Sequence, residues 1–221
     1  MDFVKRTIDV VLAGVAMLLL LPVMMAIAGW IAIDRSGSVL YAETRIGRGG
    51  RPFCIHKFRT LRAGSPVEPT VAVRGDARIT RPGRWLRLWR LDELPQLADV
   101  VFGTMSLVGP RPQTQANLAA LDARSRKRLL SVRPGLTSRA SLLHLGEDEV
   151  LAEFADPEHC YRTILVPTKT RIELEDLDRR SLCGDALVLL QTMLLVFSPP
   201  ARRRSQARVR ELLESCARKS G

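Results

Sequence analysis

Asp92 and Glu93 stand side by side in Leu91-Asp92-Glu93-Leu94-Pro95-Gln96-Leu97, and adjacent carboxylates at a helix start suit work on a phosphate. Pro95 is tolerated only in the first turn of a helix, because its ring removes a backbone donor, so the spacing predicts a helix beginning here with Asp92 near its N-cap. Free N–H groups and the helix dipole gather anions at such an end, making it a place for a phosphate or a metal-bridged phosphate. Inside a regular helix adjacent side chains diverge, whereas at its start both carboxylates can face one site. Capping alone would also account for an Asp here. A second chemically apt pair is cationic. Lys57 and Arg59 alternate with apolar neighbours after Phe53-Cys54-Ile55-His56, so both can project from one strand face, into a site or into solvent.

Other chemistries find little support. Cys54, Cys160, Cys183 and Cys216 lie far apart with no CxxC pair, and His56, His144 and His159 show no metal-ligand spacing; reduced thiols are expected, and a zinc site is not. Neither GxxxxGK[ST] nor GxGxxG occurs, so the familiar glycine cradles for nucleotides are missing.

The elements that must position the dyad belong to a chain of 221 residues, enough for one domain with an appendage. Lys and Arg number 34 against 23 Asp and Glu, a net charge of +11, and apolar residues make up 46%. That excludes an acidic disordered chain and a disulfide-built miniprotein, and points the positive charge at nucleic acid, anionic lipid headgroups or a phosphate-rich substrate. Residues 10–33 carry no charge and could cross a bilayer as one helix. Lys5 and Arg6 precede the run and Ala26-Ile27-Ala28 resembles a cleavage site, which keeps a secretory signal in play. Against it, the apolar run resumes at Gly29 and is followed by Arg35, Arg45, Arg48 and Arg51, and basic flanks on both sides prefer the cytoplasm. Pro22 offers a resolution. It clashes with the carbonyl of Leu18 and splits the run into pieces of roughly 25 Å and 18 Å, both short of a hydrocarbon core of about 30 Å. A re-entrant helix-break-helix, with Met1 and Arg35 both cytoplasmic, meets length and charge together.

Residues 34–110 hold 13 Arg and Lys against 7 acids and are punctuated by Gly47, Gly49, Gly50, Pro52, Gly64, Pro66 and Pro69, which reads as short elements around a site. Tyr41 and residues 53–58 form strands about an Arg48-Gly49-Gly50-Arg51 turn, a hairpin. Residues 82–90 form an amphipathic helix with Trp85, Leu88 and Trp89 on one stripe, at a membrane interface or against another helix. Further helices are expected over 116–130, 150–163 and 182–197, the last apolar but too short to span. Beyond Pro199-Pro200, a short helix with Val209, Leu212, Leu213 and Cys216 on one stripe suits anionic lipid, a partner or a solvated end.

Four ordered segments then carry a resemblance: Lys57-Phe58-Arg59-Thr60, Asp76-Ala77-Arg78-Ile79-Thr80, Leu91-Asp92-Glu93-Leu94-Pro95-Gln96-Leu97 and Met105-Ser106-Leu107-Val108-Gly109-Pro110-Arg111-Pro112. Arg133-Pro134-Gly135-Leu136-Thr137 and residues 161–192, with Asp185, extend it over residues 3 to about 195. The chain resembles the bacterial sugar transferases, specifically the small monotopic phosphoglycosyl transferases. The resemblance implies transfer of a phosphosugar from a UDP-sugar to polyprenyl (undecaprenyl) phosphate with release of UMP, as first membrane step of glycoconjugate assembly. It implies a covalent aspartyl-phosphosugar at Asp92, Glu93 as partner carboxylate, Mg²⁺ held by Asp92 and Glu93, and Lys57, Arg59, Arg78, Arg87 and Arg111 as substrate-binding cations. A carboxylate is ionised at neutral pH and can attack phosphorus without a base once anion repulsion is cancelled. The fold implied is α+β, mostly α. A re-entrant membrane helix broken at Pro22 (residues 1–34) leads into a cytoplasmic catalytic domain (35–198) with a small β-hairpin and interfacial amphipathic helices, then a basic tail (199–221). The site implied is the cytoplasmic face of the bacterial inner membrane, with lipid and no nucleic acid as partner; a homo-oligomer is compatible with it. The chain departs from the family pattern at Leu21, where Ser is usual before the proline, and at Trp89-Arg90 in place of Thr-Ser. Ser138 stands for a glycine and Leu145-Gly146 for an Arg-Asn pair, which bears on sugar recognition more than on phosphoryl transfer.

Overall fold

Helix α1 runs unbroken from Asp2 to Asp34 with Pro22 inside it. The computed structural model describes residues 2–66 and 71–217; Met1, Pro69 and the side chain of Cys216, which entered the sequence expectations, lie outside the described residues. The two separate helical pieces expected about Pro22 are one helix: a proline costs one intrahelical bond and a clash, and the packing on both sides keeps the turns helical. Ala13, Ile27 and Ile31 are buried, and Ala16, Met17, Leu20, Met24 and Ala28 pack between them. This spacing of three and four lays one stripe of the helix against the body of the protein along nearly its whole length. The opposite stripe, including Val11, Val15, Leu18, Leu19, Met25 and Ile33, is exposed. Of the described helices, α1 is the single one long and apolar enough to cross a membrane. Asp9, the odd charge at its start, is explained by its partners. Its carboxylate accepts from Ser106 Oγ (2.6 Å) and Leu107 N (3.3 Å), and Lys5 Nζ lies 3.5 Å from it and 2.7 Å from Asp185.

The hairpin is present as expected: β1 (Leu40–Ile46) pairs antiparallel with β2 (Pro52–Phe58), Tyr41 opposite Lys57 and Arg45 opposite Phe53. Gly49, at φ 72°, makes the reversal through the turn. Helix α2 (Arg81–Leu88) starts at Thr80, whose Oγ1 accepts from Gly83 N at 2.9 Å. Its inward face is Pro82, Gly83 and Leu86, while Trp85 and Leu88 are 46% and 38% exposed. Trp85 therefore looks outward and meets Trp30 of α1 edge-on at 5.9 Å, while half-buried Trp89 stacks on Phe197 at 5.9 Å. A tight 3₁₀ turn, Leu91–Glu93, then leads to α3 (Gln96–Phe102).

Two short parallel strands, β3 (Ser106–Val108) and β4 (Gly135–Thr137), lie at the centre. They adjoin a core of Ala13, Ile55, Leu97, Val100, Met105 and Leu107. Past β3 the two backbones touch: a Cβ on Gly135 would sit 2.1 Å from Gly109 N, and one on Gly109 would sit 2.8 Å from Arg133 O. Gly109 N–H donates to Thr137 O and Gly135 N–H to Pro110 O, at 3.1 and 2.8 Å.

The helix expected over 116–130 is two, α4 (Gln115–Ala119) and α5 (Ala123–Leu129), because Asp122 is extended and caps Ser125 N. The one expected over 150–163 is likewise divided. After α6 (Arg139–Leu143) come α7 (Glu147–Leu151), α8 (Pro157–Cys160), a π turn at Tyr161–Leu165 and α9 (Val166–Asp178). Asp156 and Pro157 form a fresh helix start that ends the preceding run. Helix α10 (Leu182–Val196) follows the sequence reading and buries none of its side chains fully. Helix α11 (Pro199–Ala217) bends away from it by 102°. Its Val209 and Leu213 are fully buried against Val150, Leu151 and Leu165, each contributing roughly 2 kcal/mol, so this segment is packed and not a frayed end.

Candidate active site

A polar cavity of about 450 Å³ opens where β1, β2, the Leu91–Glu93 turn, α7 and the loop after β3 meet. Asp92 and Glu93 both line it, with Lys57, Arg87, Arg90 and Arg111. They converge although Asp92 is not at a helix N-cap: α3 is preceded by Pro95, and the dyad sits in the 3₁₀ turn ahead of it. The turn is set by Arg90, whose φ of 54° and ψ of 23° place a non-glycine residue in the left-handed region. Such a conformation costs on the order of 1 kcal/mol and persists where surroundings fix it.

The carboxylates have different surroundings. Glu93 is buried and its Oε1 accepts from Arg111 Nη2 at 2.7 Å, with Lys57 Nζ at 3.6 Å; its Oε2 is 4.0 Å from Arg90 Nη1. Burial opposes its charge, but Arg111, Lys57 and Arg90 outweigh that and hold the carboxyl well below the usual range. Asp92 receives no hydrogen bond from the described residues. Burial, then the neighbouring charge of Glu93, pushes it up to about 6 against the pull of Lys57, Arg87 and Arg90. It is thus a carboxylate without a donor of its own and open to the cavity, which are properties of a usable oxygen nucleophile. Burial also lowers Lys57, with Glu93 resisting. Arg111 is fixed from behind: its backbone N–H donates to Glu173 Oε1 at 2.8 Å. Glu173 is itself buried, and burial pushes it up to about 7.

Of the seven residues singled out for chemistry, five therefore share the cavity. Arg59 and Arg78 do not line it. Arg59 lies past the end of β2, donates Nε to Ser38 O (2.7 Å) and Nη2 to Ser38 Oγ (2.6 Å), and stacks over Tyr41. Arg78 forms a fork with Asp76 (Nη2 to Oδ2, 2.6 Å) and donates to Pro66 O at 2.9 Å. Arg87 reaches the rim while donating to Ala72 O at 2.9 Å. Residues not anticipated also line the cavity: Arg45, Arg90, Glu147 and Arg202. Arg45 was readable, since it shares the hairpin with Lys57. Glu147, paired with Lys169 at 2.5 Å, and Arg202 come from elements whose approach no local pattern encodes.

His56 is engaged by Asp99 at 2.7 Å, and among the described residues no group of three or more His, Cys, Asp or Glu could hold a metal. The oxygens the dyad leaves open for Mg²⁺ are those of Asp92 and Oε2 of Glu93, which has Arg90 Nη1 at 4.0 Å, whereas Oε1 is taken by Arg111. That ion takes hard oxygen donors, needs only one or two carboxylates and completes its shell with phosphates and water.

Comparison with known proteins gives this arrangement its setting. The bacterial sugar transferase family matches residues 1–199. The chain is 37% identical over 145 residues to a UDP-N-acetylgalactosamine-undecaprenyl-phosphate N-acetylgalactosaminephosphotransferase of Aeromonas hydrophila, covering 64% of this chain and 34% of that protein. It is 43% identical over 145 residues to a UDP-glucose:undecaprenyl-phosphate glucose-1-phosphate transferase of Caulobacter vibrioides, covering 64% and 54%. A putative undecaprenyl-phosphate N-acetylgalactosaminyl 1-phosphate transferase of Bacillus subtilis is 36% identical over 111 residues, 50% of this chain and 62% of that one. The chain thus spans less than two thirds of the length of each of these relatives. With nine tenths of its residues matched, the chain belongs to the bacterial sugar transferase family.

Proposed function

We propose that this bacterial sugar transferase moves a sugar 1-phosphate from a UDP-sugar to a polyprenyl phosphate such as undecaprenyl phosphate, releasing UMP, as the first membrane step of a glycan's assembly. The observation that carries it is the asymmetry of the dyad: Glu93 is neutralised by Arg111 and Lys57, while Asp92 faces the cavity with no hydrogen bond from the described residues. An Asp92 oxygen attacks the phosphorus that bears the sugar, and the bond from that phosphorus to the UMP oxygen breaks. A polyprenyl phosphate oxygen then attacks the same phosphorus and frees the Asp92 carboxylate. Lys57, Arg87 and Arg111 offset the charge of the diphosphate and of departing UMP. Mg²⁺, held by Asp92 and Glu93, would supply further neutralisation of the phosphate oxygens. The names of the relatives support both substrates.

The membrane placement that fits best has the continuous α1 lying in the interface with both of its ends on the cytoplasmic face of the inner membrane, and residues 35–198 beside it as catalytic domain. A straight crossing would carry most of α1 away from the domain, yet Lys5 and Asp9 at one end and Ile27 and Ile31 at the other pack on the same body. The apolar stripe left outside, with Trp85 and the outer face of α10, supplies the lipid contact.

Incubation with labelled UDP-sugars in the absence of polyprenyl phosphate, followed by peptide mass spectrometry, should find a phosphosugar on Asp92 and free UMP. Release of UDP, or an adduct elsewhere, overturns the mechanism. In a background free of the four native cysteines, cysteines at positions 2 and 35 should both be shielded from an impermeant reagent in intact cells. Labelling at position 2 alone would sink the reading that both ends of α1 lie on one face.

A further inference from the structure

Helix α11 begins where the family match ends, at residue 199, and its first turns reach the cavity. Arg202 lines that cavity with its side chain only 19% exposed. Its Nη1 donates to Leu88 O at 2.5 Å, and its Nε lies 3.1 Å from Glu149 Oε1. Leu88 is the last residue of α2, so its carbonyl has lost the helical donor it would otherwise find, and it carries the negative end of the helix dipole. From that carbonyl the chain runs through Trp89 and left-handed Arg90 straight into Asp92 and Glu93. A guanidinium here caps α2 by a hydrogen bond and brings that end into ion-pair range of Glu149 on α7, its Nε making no hydrogen bond itself.

The helix that delivers Arg202 is itself held firmly. Ser205 Oγ donates to Leu143 O at 2.7 Å, and Val209 and Leu213 are buried one and two turns further on. The facing wall has been left bare for it: a Cβ on Gly146 (φ 73°) would stand 2.8 Å from Gln206 Nε2 and 3.0 Å from Arg202 Nε.

We propose that Arg202, supplied by a helix beyond the part of the chain that matches the family, is a positioning residue that fixes the turn bearing Asp92 by holding the Leu88 carbonyl to Glu149. The proposal rests on Asp92 being the nucleophile. Because Arg202 acts through the turn, its loss affects bond making more than substrate capture, and displacements of about 1 Å at a reacting group cost as much as a hundredfold.

The test compares wild type, Arg202→Ala, Arg202→Lys and Arg210→Ala as full chains in the same membrane preparation. Arg210 pairs with Glu153 at the exposed far side of α11 and serves as the control. Arg202→Ala should slow adduct formation and kcat by about thirtyfold while KM for the UDP-sugar stays within about twofold. Arg202→Lys should recover part of the rate, since an ammonium can cap the carbonyl but cannot hold both partners, and Arg210→Ala should be unchanged. Unaltered kcat in Arg202→Ala, or a rise in KM alone, would overturn the proposal. Hydrogen exchange over residues 89–93 without substrate gives an answer independent of the chemistry. Faster exchange in Arg202→Ala supports the positioning role even where no adduct forms, and unchanged exchange refutes it. Absence of an adduct in the wild type counts against the proposed reaction alone.

Discussion

Two clusters in this molecule pair a lysine with two acids in a buried setting, and they are finished differently. At the start of α1, Lys5 is 2.7 Å from Asp185 and 3.5 Å from Asp9, and Asp9 has Ser106 Oγ and Leu107 N as further donors. In the cavity, Lys57 and Arg111 both go to Glu93, while the neighbouring Asp92 accepts no hydrogen bond from the described residues. The first cluster is closed and ties two apolar helices to β3. The second is lopsided, with Oε1 of one carboxylate ion-paired twice and the other carboxylate open to the cavity. Residue types alone do not separate a strut from a site; the distribution of partners does.

The sharpest break of that comparison is at Asp92. Asp92→Asn should abolish the adduct and UMP release, a fall of at least about 10⁴-fold, while stability changes by less than about 1 kcal/mol because no donor is orphaned. Glu93→Gln should leave slow adduct formation that improves with added Mg²⁺. Mass spectrometry and a thermal melt read the two effects separately. In the closed cluster the pattern reverses. Lys5→Met removes the cation shared by Asp9 and Asp185 and should cost about 3–5 kcal/mol, seen as a lower melting point, with adduct yield per folded molecule retained.

Glu173 sharpens the comparison from a third side, being a buried carboxyl with one donor, Arg111 N, and its Oε2 unpartnered. Burial pushes it up to about 7 from an ordinary 4.5. Between those values the folded chain keeps a proton that the unfolded chain releases, so stability should fall as pH rises through that window, by roughly 3 kcal/mol in all. Glu173→Gln should flatten that decline in melting temperature between pH 5 and 7.5, and an unchanged slope would contradict it. The smallest contrast is among the cations. Arg111→Ala should lower kcat/KM by about a hundredfold without releasing the protein from membranes. Arg59→Ala, whose guanidinium is spent on Ser38, should lower it less than about threefold.

Much of this was legible in the sequence for physical reasons that are local. The hairpin follows from Gly49 and alternating residues, α10 from an unbroken apolar run, and the joint presence of Asp92, Glu93 and Arg111 from motifs in order. What escaped was set by partners distant in the chain or by competition at helix ends. Asp122 and Asp156 start new helices inside runs whose composition looked continuous. That Arg59 and Arg78 lie outside the cavity, bonded to Ser38 and Asp76, was equally beyond local pattern. Arg202 lies more than a hundred residues from the carbonyl it holds, and the placement of Trp85 and Trp89 makes sense only beside α1 and α10.

The contact of Gly109 with Gly135 bears on how this sequence can drift. Each is the other's wall, at 2.1 Å for a Cβ on Gly135, so no second change at the partner can make room for a first: both are already as small as residues come. Two segments 26 positions apart are thus sterically locked to one another, and Arg111 lies two residues past the first glycine. The joint can be left only by giving up the strand pair that places Arg111 beside Glu93.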